Sequence, residues 1–313
     1  MPLSGRDFIT VRDVSREEIE AIFSRARALM PAAEGKANVG TLDGRIVAMA
    51  FFEPSTRTRL SFEAATHRLG GHCLTIADAS TTSLRKGESL SDTIRMLSSY
   101  ADAIVIRHPN EGAARLAADV SDRPVINAGD GSGHHPTQTV LDLATIEQTF
   151  GKIEGLKVVI LGDLKYGRAV HSLVYGLALF GAELTLCSPA SLRLPDRLSR
   201  ELGELSVRVR EVETVEDAIA GADVLYVTRI QKERFPDEAE FQKVSGSYHV
   251  DLDLIRKASD RLIVMHPLPR AGEISPEVDA TPHAAYFRQA ALAVPIRMAI
   301  LESILEGRAP GAA

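Results

Sequence analysis

The 313 residues carry 42 acidic and 36 basic side chains, a net charge of −6, with 45% apolar and 25% charged residues. That balance fits a globular chain long enough for two domains and argues against general nucleic-acid binding, which needs a basic face. No apolar run is long enough to span a bilayer, and the opening MPLSGRDFITVRDVSREEIE has no apolar signal core, so a cytoplasmic, non-membrane protein is expected. Cys73 and Cys187 sit in short apolar runs and read as reduced core thiols, and no Cys/His cluster has metal-ligand spacing.

RIVAMAFF (Arg45 to Phe52) reads as a buried strand. TRLSFEAATHRLGG follows as a helix, with Phe62, Ala65 and Leu69 at helical spacing and Gly70-Gly71 as its stop. HCLTIAD is strand-like, SLSDTIRMLSSYA helical, DAIVIRHP a strand, and RPVINAGDG a strand entering a Gly-rich turn. PTQTVLDLATIEQTF is a helix with Pro136 in its first turn, where a proline fits. A Gly-flanked polar segment and a new strand from Leu156 then set the domain boundary near 150–155, giving domains 1–150 and 151–292. The second half reads as strand LKVVILGD, helix RAVHSLVYGLALFG, strand AELTLCSP, short helix VEDAIAG, strand DVLYVTR, a helical part in YHVDLDLIRKAS, strand RLIVMHPLPR and a last amphipathic helix in PIRMAILESILEG. Such alternation predicts an α/β protein with two parallel sheets, each flanked by helices.

In open parallel sheets ligands sit at the C-terminal ends of the strands. The first strand ends in Ser55-Thr56-Arg57-Thr58, where a helix begins. Unpaired N–H groups, the positive end of the dipole, three hydroxyls and a guanidinium together suit a phosphate. An ordinary N-cap is the alternative, but capping needs only one such residue. The next strand end carries Arg107, and GDGSGHHPTQT carries His134, His135 and Gln138; composition does not decide which histidine points inward. In the second half, strand ends carry Lys165 and Arg168, then Arg229 and Gln231, then Leu268 between two prolines, whose extended loop leaves carbonyls to accept from an amine or amide. Ser83 and Lys86 lie in a polar loop that reads by itself as solvated. Arg57, Arg107, Arg168 and Arg229 fall two to a domain, and facing domains would gather them around an anionic small molecule.

FFEPSTRTRLSFE, SLRKGESLSDT, HHPTQTVLDL, GDLKYGRAVHSL, VTRIQKERF and HPLPR together resemble the catalytic chain of the aspartate carbamoyltransferase family over nearly the whole sequence. Ser-Thr-Arg-Thr alone marks the wider transcarbamylases; an ornithine enzyme would be expected to carry a cysteine in His-Cys-Leu-Pro, where this chain has His266-Pro267-Leu268-Pro269. The resemblance implies transfer of the carbamoyl group of carbamoyl phosphate to L-aspartate in pyrimidine biosynthesis, without metal or cofactor. It implies a last helix, 293–313, that returns to the first domain. Ser55, Thr56, Arg57 and Thr58 would hold the phosphate. Thr58, Arg107 and His135 would reach the carbonyl oxygen, Gln138 and the Leu268 carbonyl the carbamoyl amide, with Pro269 shaping that loop. Arg168, Arg229 and Gln231 would bind aspartate. Ser83 and Lys86 would enter a neighbouring subunit's site in a homotrimer, both to bind carbamoyl phosphate and Lys86 also to bind aspartate. Family trimers act alone or join regulatory chains or a dihydroorotase. SLRK is one residue shorter than in some members and sets Arg85 beside Lys86, and Ala169 stands where threonine is common. Three rivals remain: a transcarbamylase with another acceptor, an NAD-dependent oxidoreductase with a degenerate turn at Gly162 to Gly167, and a non-catalytic anion binder. The missing G-x-G-x-x-G and the lack of an acid after LTLCSP count against the second.

Overall fold

The computed structural model describes residues 3–78, 83–205, 207–230, 235 and 237–306. In chain order it has α1 (Arg16–Ala33), β1 (Ile46–Phe51), α2 (Thr56–Arg68), β2 (His72–Ile76), α3 (Leu90–Tyr100), β3 (Ala103–His108), α4 (Ala113–Val120), β4 (Val125–Asp130) and α5 (Pro136–Phe150). Then follow β5 (Lys157–Leu161), α6 (Arg168–Leu179), β6 (Glu183–Cys187), α7 (Asp196–Glu204), β7 (Val209–Val212), α8 (Val215–Ile219), β8 (Val224–Val227), α9 (Glu238–Val244), α10 (Leu252–Ile255), β9 (Ile263–Met265), α11 (Tyr286–Ala291) and α12 (Ala293–Leu305). The chain gathers into two compact units, Met1–Leu141 with Leu292–Ala313, and Asp142–Ala291; the division falls inside α5.

The first unit has a sheet in the order β2-β1-β3-β4, the second one in the order β7-β6-β5-β8-β9. All pairings within both sheets are parallel. Parallel strands need crossover connections, and helices used as crossovers cover both faces, so the central strands are apolar without alternation. Val47 to Phe51 and Ala103 to Ile106 are buried in unbroken runs. Phe62, Ala65 and Leu69 bring one face of α2 onto this core. The edge strand β2 is largely exposed, so Cys73 is half-buried where the sequence suggested a core thiol; Cys187 is fully buried. Burial pushes Cys73 up to about 11 and Cys187 up to about 12, which leaves both protonated near neutral pH.

α1 starts from Ser15, whose hydroxyl accepts from Glu18 N–H while the Glu18 carboxylate accepts from Ser15 N–H. α12 packs against both α1 and α2 and is buried from Ala293 to Leu305 apart from a half-buried Val294. A helix covered on all sides must satisfy its polar groups locally. Arg297 donates to Ser61 Oγ and stands 4.8 Å over the Phe62 ring; Ser303 Oγ accepts from Leu3 N–H; Glu302 accepts from Arg25 through both carboxylate oxygens. The last helix therefore closes the first unit. Among the described residues no helix is long and apolar enough to cross a membrane.

Glu302→Ala should cost about 1–3 kcal/mol, because it leaves a partly buried guanidinium unmatched. Glu20→Ala, which breaks the exposed Arg16 pair, should cost about 0.5 kcal/mol or less. Chemical denaturation of both variants measures the difference, and equal costs would contradict a closing role for the Arg25–Glu302 pair.

Candidate active site

In the first unit the strand register sets the site. Phe51 pairs with Arg107 and His108 with Asp130, so β1, β3 and β4 end on one edge of the sheet. Ser55 is the N-cap residue of α2, in extended conformation, yet its side chain makes no capping hydrogen bond. Simple capping therefore does not account for this hydroxyl. Thr56 and Arg57 are exposed on the first turn, and Thr58 is buried. Arg107 is braced rather than splayed into solvent: Nη1 donates to the Ala128 carbonyl at 3.2 Å, and Nε lies 3.3 Å from Glu53 Oε2.

The turn carrying the two histidines is knotted by Asp130, which is 3% exposed. Its carboxylate accepts from the N–H groups of Gly112 and His134 and from Asn127 Nδ2, at 2.8–3.0 Å. His135 is buried at the entry to α5, whereas His134 is half-buried. Gln138 is buried in the first turn of the same helix. His108 is engaged elsewhere, since its Nδ1 accepts from Asn110 N–H and its ring meets Phe52 edge-on. Burial lowers its pKa, so it stays neutral beside Arg107. The Ser83–Lys86 segment is a 3₁₀ turn, with Arg85 and Lys86 both exposed.

In the second unit β5, β8 and β9 are neighbours, and their C-terminal ends share one edge. Gly162 follows β5 at φ +123°, and a Cβ there would lie 2.1 Å from the Thr228 carbonyl oxygen, so only glycine lets the two strand ends approach. The buried Asp163 accepts from the N–H groups of Lys165 and Tyr166, and His171 Nε2 bonds the Leu164 carbonyl. These contacts fix the turn that delivers half-buried Arg168 as the first residue of α6. Arg229 is half-buried two residues beyond β8.

The loop after β9 holds Leu268 at φ +57°, with a cis bond to Pro269. A left-handed backbone costs a non-glycine residue about 1–2 kcal/mol and persists only where its surroundings hold it. Leu268 N–H donates to His266 Nδ1, and Arg270 beyond it is tied to Asp279 and Tyr286.

Apart from Ser83 and Lys86, on their own 3₁₀ turn between β2 and α3, the described candidates stand at a strand end or in the turn and helix start that follow it. Ser55, Thr58, Arg107, His135 and Gln138 lie in the first unit, and Arg168, Arg229 and Leu268 in the second. Gln231 lies outside the described residues. Sequence reasoning passed over the acids that brace the site, the buried Asp130 and Asp163 and the half-buried Glu53 and Glu273. For three of them the signal was an acid in the turn directly after a strand or just before a motif, as in GDGS, GDLK and FFEP.

Residues 6–148 match the family model described as the carbamoyl-P binding domain of aspartate/ornithine carbamoyltransferase, and residues 154–304 match its Asp/Orn binding domain. The chain is 57% identical over 301 residues to the aspartate carbamoyltransferase catalytic subunit of Thermococcus kodakarensis, covering 96% of this chain and 97% of the relative. It is 55% identical over 300 residues to that of Methanothermobacter thermautotrophicus, covering 96% of each. Among solved structures, the catalytic subunit of M. jannaschii aspartate transcarbamoylase superposes with a TM-score of 0.87 at 51% identity, over 95% of this chain and 97% of that one. The Trypanosoma cruzi aspartate transcarbamoylase solved with carbamoyl phosphate and aspartate gives 0.92 at 39% identity, over 97% and 98%. With both halves matched in order and full-length identity above half, the chain belongs to the aspartate/ornithine carbamoyltransferase family.

Proposed function

We propose that the chain transfers the carbamoyl group of carbamoyl phosphate to the amine of L-aspartate, giving N-carbamoyl-L-aspartate and phosphate, an early reaction of pyrimidine biosynthesis. The observation that carries this reading is end-to-end identity of 57% to an aspartate carbamoyltransferase catalytic subunit. The lack of a cysteine in His266-Pro267-Leu268-Pro269 favours aspartate over ornithine. The T. cruzi neighbour binds both carbamoyl phosphate and aspartate, and also N-(phosphonacetyl)-L-aspartic acid.

The first unit serves carbamoyl phosphate. The start of α2 offers backbone N–H groups, the positive end of the dipole, the hydroxyls of Ser55, Thr56 and Thr58, and the Arg57 guanidinium to the phosphate. That Ser55 is not used as a cap supports this role. Thr58, Arg107 and His135 polarise the carbonyl oxygen, while Gln138 and the Leu268 carbonyl hold the carbamoyl amide. In the second unit Arg168, Arg229 and Gln231 take the two carboxylates of aspartate, guanidinium forks being matched to carboxylates.

The neutral amine attacks the carbonyl carbon, the oxygen gains negative charge, and the C–O bond to phosphate breaks as the proton lost from the amine passes to the departing phosphate. Phosphate leaves readily, so the demand on the protein is charge stabilisation and positioning. Removing one preorganised donor from a developing oxyanion typically costs about 3–4 kcal/mol. Holding two substrates in attack geometry contributes on the order of 7–11 kcal/mol.

A homotrimer with shared sites fits the surface of the first unit. Leu60 on α2, Leu74 on the edge strand β2, and Met96 and Tyr100 on α3 are all exposed. Exposed apolar groups beside an unpaired strand edge suit burial by another chain. Ser83 and Lys86 would then serve the neighbour's site.

Arg57→Ala should lower kcat by about 100-fold or more with little change in the aspartate KM. Arg229→Ala should chiefly raise the aspartate KM. Steady-state kinetics with the reverse pattern would overturn these assignments. For the shared site, Lys86→Ala and His135→Ala chains, each nearly inactive, should regain activity when dissociated together and reassembled. No recovery would confine each site to one chain.

A further inference from the structure

Behind the Leu268 loop lies a chain of buried hydrogen bonds that the proposed mechanism does not use. Asp142 on α5 is 0% exposed and accepts from Tyr226 Oη at 2.9 Å and from Gln289 Nε2 at 2.7 Å. Gln289 on α11 is 1% exposed, and its Oε1 accepts from His266 N–H at 2.8 Å, where the chain leaves β9. His266 is 1% exposed; its Nε2 faces Glu273 Oε1 at 2.6 Å, and its Nδ1 accepts from Leu268 N–H at 2.8 Å.

Each bond fixes the polarity of the next. The Asp142 carboxylate only accepts, so it turns the Gln289 amide nitrogen toward itself and leaves the oxygen for His266 N–H. With the amide reversed, an acceptor would face an acceptor and a donor a donor. The Glu273 carboxylate likewise only accepts. Burial pushes its pKa up, but hydrogen bonds from His266 and from Ala271 N–H outweigh that and hold it below the usual range. The proton of neutral His266 therefore sits on Nε2, and Nδ1 presents the lone pair that Leu268 N–H needs. Burial and the Asp142 charge push the Tyr226 phenol well above its ordinary value, so it remains a donor.

We infer that Asp142 and Gln289 are positioning residues, which act through His266 and Glu273 to hold the Leu268 peptide in its left-handed conformation and aim its carbonyl at the carbamoyl amide. This rests on the proposed carbamoyl transfer, because that reading gives the Leu268 carbonyl its role. Asp142 and Gln289 touch no substrate in this scheme. Their loss falls on carbamoyl phosphate and on turnover, not on the aspartate carboxylates.

The test compares Gln289→Glu, Asp142→Asn/Gln289→Glu and Glu273→Gln with wild type, using carbamoyl phosphate and L-aspartate as substrates. Gln289→Glu sets two carboxylates against each other. It should lower kcat and raise the carbamoyl phosphate KM, with kcat/KM for carbamoyl phosphate down about 10- to 100-fold and the aspartate KM within about twofold. The double variant restores the donor-to-acceptor match at the bonds joining Tyr226, position 142, position 289 and His266 N–H. The asparagine amide nitrogen on α5 donates to the new carboxylate on α11, and its oxygen accepts from Tyr226. The new carboxylate in turn accepts from His266 N–H. This variant should return kcat/KM to within about threefold of wild type. Glu273→Gln, at the more exposed end of the chain, should fold and show the same split at about 3- to 10-fold. Wild-type kinetics in Gln289→Glu, no recovery in the double variant, or a loss that falls equally on the aspartate KM would overturn the inference. If Gln289→Glu does not fold, the double variant and Glu273→Gln decide in the same way. No product from wild type would instead overturn the carbamoyl-transfer reading, and this inference with it.

Discussion

Parallel pairing is the constraint from which the rest of the molecule follows. Because β1, β3 and β4 run the same way, everything that follows them in the chain emerges at one edge of the sheet, and the same holds for β5, β8 and β9. α2 and α6 begin at these edges without a side-chain cap, so their first N–H groups face outward there. Anion-binding potential is therefore built into the fold, and the sequence has only to place guanidinium, hydroxyl and imidazole groups there. It does so at Arg57, Arg107 and His135 in one unit and at Arg168 and Arg229 in the other. On the proposed reading, in a chain of net charge −6, affinity for anions is a local property of these edges and not of the protein surface at large.

A strand end brings groups near each other but does not aim them. Aim comes from acids set behind them. Glu53 steadies Arg107, Asp130 ties the histidine turn to α4 and β4, and Asp163 holds the turn before α6. Glu53 makes an ion pair with the Arg107 guanidinium, while Asp130 and Asp163 accept from backbone N–H groups, and such charge-assisted bonds are strong where water is scarce. The relay from Asp142 to Leu268 is the longest of these devices. It supports the one non-glycine residue found at positive φ among the described residues.

Much of the architecture was legible because buried parallel strands leave unbroken apolar runs. RIVAMAFF, DAIVIRHP and LKVVILGD each became a central strand. The reading has no counterpart for β7, and the reason is physical: Val209, Arg210 and Glu211 on this edge strand are exposed, so no apolar run forms. It also passes over α1, although Ser15 and Glu18 make a capping box that the sequence displays. At the site, position along the chain was legible but orientation was not. His134 and His135 are the same residue type, and only the Asp130 knot and the start of α5 distinguish a half-buried ring from a buried one. Whether Ser55 capped its own helix likewise needed a hydrogen-bond geometry that no residue order encodes. The relay was invisible because Asp142, Gln289 and His266 are far apart in sequence and meet only through packing.

The central claim is that the first unit's strand-end donors take carbamoyl phosphate while the second unit's arginines choose an acidic acceptor. Incubating the purified chain with carbamoyl phosphate and either L-aspartate or L-ornithine, then assaying the carbamoylated product, tests it most directly. The account predicts product with aspartate alone. Product with ornithine, or with neither acceptor, would contradict the reading of Arg168, Arg229 and Gln231.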